Sequence, residues 1–174
     1  MAAAPLELFL PDESATRRAG FCLGQALVTL GLRVLTVTLR GELGAGKTTF
    51  CQGVGQALGV PTGEVRSPTF SLAHEHQGVI PFSHLDLYRL ERDPYAEFLE
   101  AGLEESLAGV CLVEWAQRLP DSFWPLTRLD LTLTPASSGG RALRGRGLAP
   151  QAQKVWALLT HQYLAWSGES LSQP

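Results

Sequence analysis

With 174 residues the chain is expected to form one domain with a sizeable core, and a formal charge of −3 with a pI near 5.8 excludes a grip on nucleic acid by bulk electrostatics. No apolar run approaches the length of a membrane span, and Met1 to Leu10 lacks the basic region and cleavage site of a secretory signal, so a cytosolic protein is expected. Cys22, Cys51 and Cys111 stand singly in apolar stretches without metal-ligand spacing, which predicts buried free thiols in a reducing compartment.

In chain order, residues 6–10 read as a short strand before Pro11. Asp12 then reads as the N-cap of a helix to about Leu30, with Ala15, Ala19, Cys22, Ala26 and Leu30 near one face and Gly31 ending it. Arg33 to Arg40 alternates aliphatic residues with Thr, a strand that runs into Gly41. Thr49 to Leu58 reads as a helix closed by Gly59. Val60 to Arg66 is a connection containing Pro and Gly. Ser67 to Leu72 is predicted to be extended, because Pro68 pushes Ser67 away from helical angles. Gln77-Gly78 reads as a turn into a second strand over Val79 to Leu87, with His74 and His76 exposed on the first.

Asp93-Pro94 supplies an N-cap and first residue for a helix to about Leu107, whose Glu97, Glu100, Glu104 and Glu105 read as a solvated face, with a partner surface as the other reading. Val110 to Val113, ending in Glu114, suits a strand buried on both faces. Arg128 to Thr134 alternates Leu129, Leu131 and Leu133 with polar residues. Residues 136–150, rich in Gly, Ser and Arg, read as a loop, with a basic contact through Arg141, Arg144 and Arg146 as the other reading. Residues 151–174 carry a C-terminal helix with apolar spacing at Val155, Leu158, Leu159 and Tyr163. The expected organisation is a core over 1–135, a connection over 136–150 and a helix over 151–174 that packs on the core or trails it.

One stretch carries chemistry. Gly41-Glu42-Leu43-Gly44-Ala45-Gly46-Lys47-Thr48 fits the phosphate-loop pattern G-x-x-x-x-G-K-[ST], between a predicted strand and a predicted helix. Such a loop points successive backbone N–H groups at a phosphate, and a helix N-terminus adds its dipole. Lys47 brings one ammonium to the β- and γ-phosphates, and the Thr48 hydroxyl can ligate Mg²⁺. Lysine occurs at only two positions, Lys47 and Lys154, against twelve arginines. The loop therefore calls for a compact point charge where the chain otherwise uses a planar fork. The absence of asparagine argues against the Asn-Lys-x-Asp reader of guanine. Glu114, ending a core strand, stands where the metal-side carboxylate of a phosphate-loop protein belongs. Asp86, between leucines near a strand end, either orders water or Mg²⁺ or serves as a structural cap. Thr69 offers a hydroxyl on a segment suited to sensing a γ-phosphate.

Four segments together resemble the TsaE (formerly YjeE) family, over roughly residues 8–135. They are the phosphate loop through Phe50, Val65-Arg66-Ser67-Pro68-Thr69-Phe70-Ser71-Leu72, His84-Leu85-Asp86-Leu87-Tyr88-Arg89-Leu90, and Leu112-Val113-Glu114-Trp115. Ser-Pro-Thr-Phe and His-x-Asp-Leu-Tyr-Arg-Leu are the specific ones, since the loop is widely shared. The resemblance implies an α/β, phosphate-loop NTPase-like three-layer fold with a mixed, mainly parallel central sheet, and ATP and Mg²⁺ as ligands. It also implies a weak ATPase that serves tRNA threonylcarbamoyladenosine formation through a complex with TsaD and TsaB, meeting tRNA only through them. By motif, Lys47 binds phosphates with Glu42, Leu43, Gly44, Ala45, Gly46, Thr48 and Thr49 around it, and Thr48 and Glu114 hold Mg²⁺. Thr69 lies in a switch-like segment, Asp86 supports catalysis, Trp115 belongs to the site, and Asp12-Glu13 lies beside the base. Glu42 stands where Asp is common in the family, and the Arg-rich stretch after Thr134 matches nothing in it. The competing readings are a small-molecule phosphate-loop kinase and a nucleotide-gated binding module with negligible turnover.

Overall fold

The computed structural model describes residues 7–68 and 71–168. Among them a single sheet of seven strands runs in the order β1-β7-β6-β2-β5-β4-β3. Its centre is parallel: β2 (Leu35–Arg40) lies between β5 (Val110–Glu114) and β6 (Arg128–Pro135), and β4 (Phe82–Asp86) lies beyond β5. Antiparallel strands flank it, β3 (Ala73–His76) on β4, β7 (Arg141–Gly147) on β6, and β1 (Glu7–Leu10) on β7. This is the mixed α/β architecture that the family resemblance implies.

Helices cover both faces. On one side α1 (Glu13–Leu30), α2 (Lys47–Ala57) and α4 (Pro150–Ser167) pack with Leu35, Val37, Leu39, Leu112, Leu129, Leu131 and Leu133. On the other, α3 (Pro94–Glu100) and nearby short turns bury Leu85, Cys111, Val113, Phe98 and Trp124. Because strand neighbours point to opposite faces, Leu112 falls in the first core and Cys111 and Val113 in the second. All three thiols are buried, and burial pushes each pKa up, so they serve as small apolar fillers.

The ends of α1 follow local chemistry. Asp12 Oδ1 accepts from Ala15 N–H at 2.8 Å, and Gly31 closes the helix at φ +61°. The helix then touches α2 backbone to backbone. A Cβ on Gly53 would fall 1.9 Å from the Arg17 carbonyl oxygen, and one on Gly20 would fall 2.0 Å from that of Phe50. That contact anchors the helix that begins at the phosphate loop.

Four expectations need correction. The loop expected over 136–150 contains β7, which pairs with both β1 and β6; only its first residues turn, with Ala136 N–H donating to Gly140 O. Ser67 to Leu72 is not extended throughout: Ser71 and Leu72 N–H both donate to Pro68 O, and Leu72 takes φ +62°. Proline constrains the residue before it and leaves the chain after it free to turn. The helix from Asp93 stops at Glu100, since Gly102 at φ +66° breaks it and a 3₁₀ turn follows over Leu103–Ala108. His76 is buried rather than exposed, because it is the register partner of Phe82 on β4 and the two rings pack on one face of the sheet with centres 4.9 Å apart.

Candidate functional site

The loop expected to hold phosphate leaves the C-terminal end of β2 and enters α2, with Gly44 at φ +75° and Gly46 at φ +101°. Neither angle suits a side chain, and a Cβ on Gly46 would also stand 3.1 Å from both Thr16 Cγ2 and Arg141 Nε. Gly46 is the N-cap of α2 and contributes no side chain to it, so the N–H groups of the first turn face the cleft without a capping side chain. The cleft, about 380 Å³, is lined by Leu43 to Thr49 together with Ser67, Asp86, Tyr88, Glu114, Trp115 and Arg141.

Lys47 is buried at the bottom of this cleft, 4% exposed. Its Nζ donates to Gly41 O at 2.7 Å and Glu42 O at 2.9 Å and lies 4.0 Å from the centre of the Trp115 ring. Burial lowers its pKa, and the carboxylates of Glu114 and Asp86 pull the other way. Trp115 follows β5 with φ +58°, an uncommon angle for a non-glycine residue, and its ring also packs at a tilt against Tyr88, centres 4.9 Å apart.

Two carboxylates converge from adjacent parallel strands, since Asp86 on β4 is the register partner of Glu114 on β5. Glu114 is 2% exposed; its Oε2 accepts from Thr48 Oγ1 at 3.0 Å, and its Oε1 lies 2.8 Å from His84 Nε2. The side chain of Glu114 thus stays in the sheet interior rather than reaching solvent. Asp86 accepts from Tyr88 N–H through Oδ1 at 3.0 Å and from the Ser67 hydroxyl through Oδ2. Cys51, one turn beyond Thr48 on α2, completes a buried group with His84 and Glu114 whose donor atoms lie within 4.8 Å of one another. Neither the cysteine nor the histidine spacing reveals that grouping. A hydroxyl paired with a carboxylate at the first turn of α2 is a hard-oxygen set of the kind Mg²⁺ takes, so the residues fit that ion.

Lys47, Thr48, Asp86, Glu114 and Trp115 thus meet in one cleft with the loop residues Leu43 to Thr49. Glu42 contributes its backbone carbonyl while its side chain is exposed. Asp12 and Glu13 do not line the cleft: Asp12 caps α1, and Glu13 pairs with Arg17 at 2.7 Å. Thr69 lies outside the described residues. Sequence reasoning missed His84, Ser67 and Arg141 as individual site residues. The signal for His84 was present in His-x-Asp, a spacing that puts both side chains on the α2 face of β4.

Strand, glycine-bearing loop, helix and a carboxylate on the neighbouring parallel strand define a phosphate-loop protein of the α/β class. Comparison with known proteins carries this further. The pattern of the family described as threonylcarbamoyl adenosine biosynthesis protein TsaE matches residues 10–143. The tRNA threonylcarbamoyladenosine biosynthesis protein TsaE of a Nostoc species is 41% identical over 142 residues, covering 78% of this chain and 82% of that protein. Its counterpart in a Synechocystis species is 46% identical over 120 residues, covering 66% and 73%. The crystal structure of Bacillus subtilis YdiB superposes with a TM-score of 0.69 at 26% identity, covering 92% of this chain and 98% of YdiB. The chain belongs to the TsaE family. No helix among the described residues is long and apolar enough to cross a membrane.

Proposed function

We propose that this chain binds ATP with Mg²⁺ in the cleft at the end of β2 and hydrolyses it slowly, acting in tRNA threonylcarbamoyladenosine formation through TsaD and TsaB. The observation that carries this reading is the pairing of Thr48 Oγ1 with Glu114 Oε2 at 3.0 Å, at the first turn of a helix whose loop holds Lys47. Family membership supports the pathway. Thr48 and Glu114 would hold the magnesium ion, which when bound neutralises charge on the phosphate oxygens.

The chain's own residues take the other roles. Loop N–H groups and Lys47 bind the phosphates, and the Lys47 ammonium exchanges its contacts with the Gly41 and Glu42 carbonyls for phosphate oxygens. His84 orients Glu114 from the far side. Asp86, held by Tyr88 N–H and the Ser67 hydroxyl, keeps a carboxylate at the cleft to accept a proton from water. Ser67 ties Asp86 to the segment that carries Thr69, which gives a route from the terminal phosphate to the surface that meets other proteins.

Phosphate release from ATP is measured for the protein alone and after adding TsaB and TsaD. Slow release that changes with the partners supports the proposal. Phosphate passed to a metabolite would make the chain a kinase, and no release under either condition would leave a nucleotide-gated binding module.

A further inference from the structure

The carboxylate of Glu114 has two sides. Its Oε2 accepts from Thr48 Oγ1, which lines the cleft, while its Oε1 lies against the buried His84 Nε2 at 2.8 Å. His84 is the register partner of Leu112, two residues before Glu114, which makes it the diagonal neighbour of Glu114 on the sheet face toward α2. Helix α2 adds a third group, since Cys51 follows Thr48 by three residues and stands on the same helix face. One donor atom from each of Cys51, His84 and Glu114 lies within 4.8 Å of the others, and all three residues are buried. Cys22 and Cys111 belong to no such group among the described residues. The His84 ring is wholly buried, and among the described residues its Nδ1 has no hydrogen-bond partner. With Nε2–H donating to the carboxylate, the neutral ring keeps a nitrogen lone pair that the protein itself does not use.

Thiolate, imidazole and carboxylate are donors that suit zinc, whereas Mg²⁺ takes oxygen and keeps its waters. Zinc bonds of about 2.0–2.3 Å in a tetrahedral shell put neighbouring donor atoms about 3.4–3.6 Å apart, so side-chain shifts of about 1 Å close this group on an ion. We propose that Cys51, His84 and Glu114 form an interior site for Zn²⁺, entered from the cleft past Thr48, with the fourth position left to water. The ion takes the place of the Cys51 thiol proton, which passes to solvent. Without the ion, Cys51 remains an apolar filler like the other two cysteines. Glu114 is shared, so an ion on its interior side draws the carboxylate away from Thr48 and from the Mg²⁺ position. Zinc is therefore an inhibitor of the function proposed above, and added Mg²⁺ does not displace it from a site holding sulfur and nitrogen. The site itself stands apart from that function; only the inhibition rests on it.

Zn²⁺ affinity is measured by competition with a chromophoric chelator, without nucleotide, for wild-type protein, Cys51→Ala, His84→Gln and the control His161→Gln. Wild type and the control should bind one ion, and the two site variants should bind it at least about a hundredfold more weakly. Co²⁺ added to the wild-type protein should give a thiolate-to-cobalt charge-transfer band and the visible bands of a tetrahedral ion, a readout that needs no variant. No zinc binding by wild type, wild-type affinity in Cys51→Ala, or a cobalt spectrum without the thiolate band would each overturn the site. Phosphate release from ATP at saturating Mg²⁺ is then followed with equimolar Zn²⁺. Inhibition of wild type that is lost in Cys51→Ala supports the shared carboxylate. Equal inhibition of both, or none in a wild type that binds zinc and turns over ATP, overturns the inhibition and leaves the site to the metal measurements.

Discussion

Replacing Glu114 by Gln tests the metal assignment most directly. The carboxylate is 2% exposed, receives the Thr48 hydroxyl at 3.0 Å and faces His84 Nε2 at 2.8 Å. Gln keeps the volume and a carbonyl oxygen for those partners, so the fold should persist. Ala would leave the Thr48 hydroxyl and a buried imidazole nitrogen unpaired, at about 1–3 kcal/mol each. What Gln removes is one negative charge beside the first turn of α2. An anionic contact of this kind contributes about 1.5–3 kcal/mol, which corresponds to roughly a 10- to 150-fold loss in apparent Mg²⁺ affinity. Phosphate release is followed at saturating ATP while Mg²⁺ is titrated, and ADP affinity is measured without metal. The midpoint in Mg²⁺ should move up by at least about tenfold, while metal-free ADP affinity stays within about threefold of wild type, since loop N–H groups and Lys47 carry it. Wild-type turnover at the wild-type Mg²⁺ midpoint would refute the assignment.

Lys47→Ala should abolish measurable ATP and ADP binding in calorimetry, because the buried ammonium in the loop is lost; retained affinity would move the phosphates elsewhere. Gly53→Ala should destabilise the fold by about 1–3 kcal/mol in denaturant titrations, since its Cβ would fall 1.9 Å from Arg17 O and force α1 from α2; an unchanged midpoint would mean that the two helices are not held in contact. His76 has a pKa lowered from 6.5, first by burial, then by the nearby His84 and His74, with Glu64 and Glu75 opposing. Its neutral ring is favoured in the folded state, so this contribution to stability is complete above the unfolded value of 6.5 and is lost as pH falls through the lower folded value. Denaturation midpoints between about pH 5 and pH 8 should therefore fall on the acid side in wild type and flatten there in His76→Phe; parallel profiles would exclude the residue.

The elements that could be read in advance are those where one residue decides the local conformation. Asp12 and Gly31 bound α1, and Pro94 after Asp93 opens α3, because a cap or a fixed φ acts within one turn. β7 was not legible for the opposite reason. Its residues Arg141-Ala142-Leu143-Arg144-Gly145-Arg146-Gly147 offer little apolar alternation, and its stability comes from ladders on both sides. Its glycines look like turn residues, but they accommodate α4. A Cβ on Gly145 would fall 2.4 Å from the Trp156 ring, and one on Gly147 would meet the backbone of Gln153 at 2.4 Å. Only Gly139 and Gly140, at φ +83° and +73°, make the turn that the composition suggests.

The same distinction applies to the site. Lys47, Thr48 and Glu114 were readable because loop spacing and the end of a core strand each imply a location. Arg141 and His84 meet them only through pairings between strands far apart in the chain. Those pairings also set the charge of the cleft. Glu114 and Asp86 stand side by side in register, and Lys47 is the single ammonium near both. On this side the cleft attracts a cation, while across α2 the first-turn N–H groups and Arg141 attract an anion. A bare triphosphate would meet repulsion from the carboxylates, and a lone divalent ion would leave the N–H groups and Arg141 without an anion. A metal-bound polyphosphate complements both halves at once, so under the function proposed above nucleotide and Mg²⁺ should bind here with mutual enhancement.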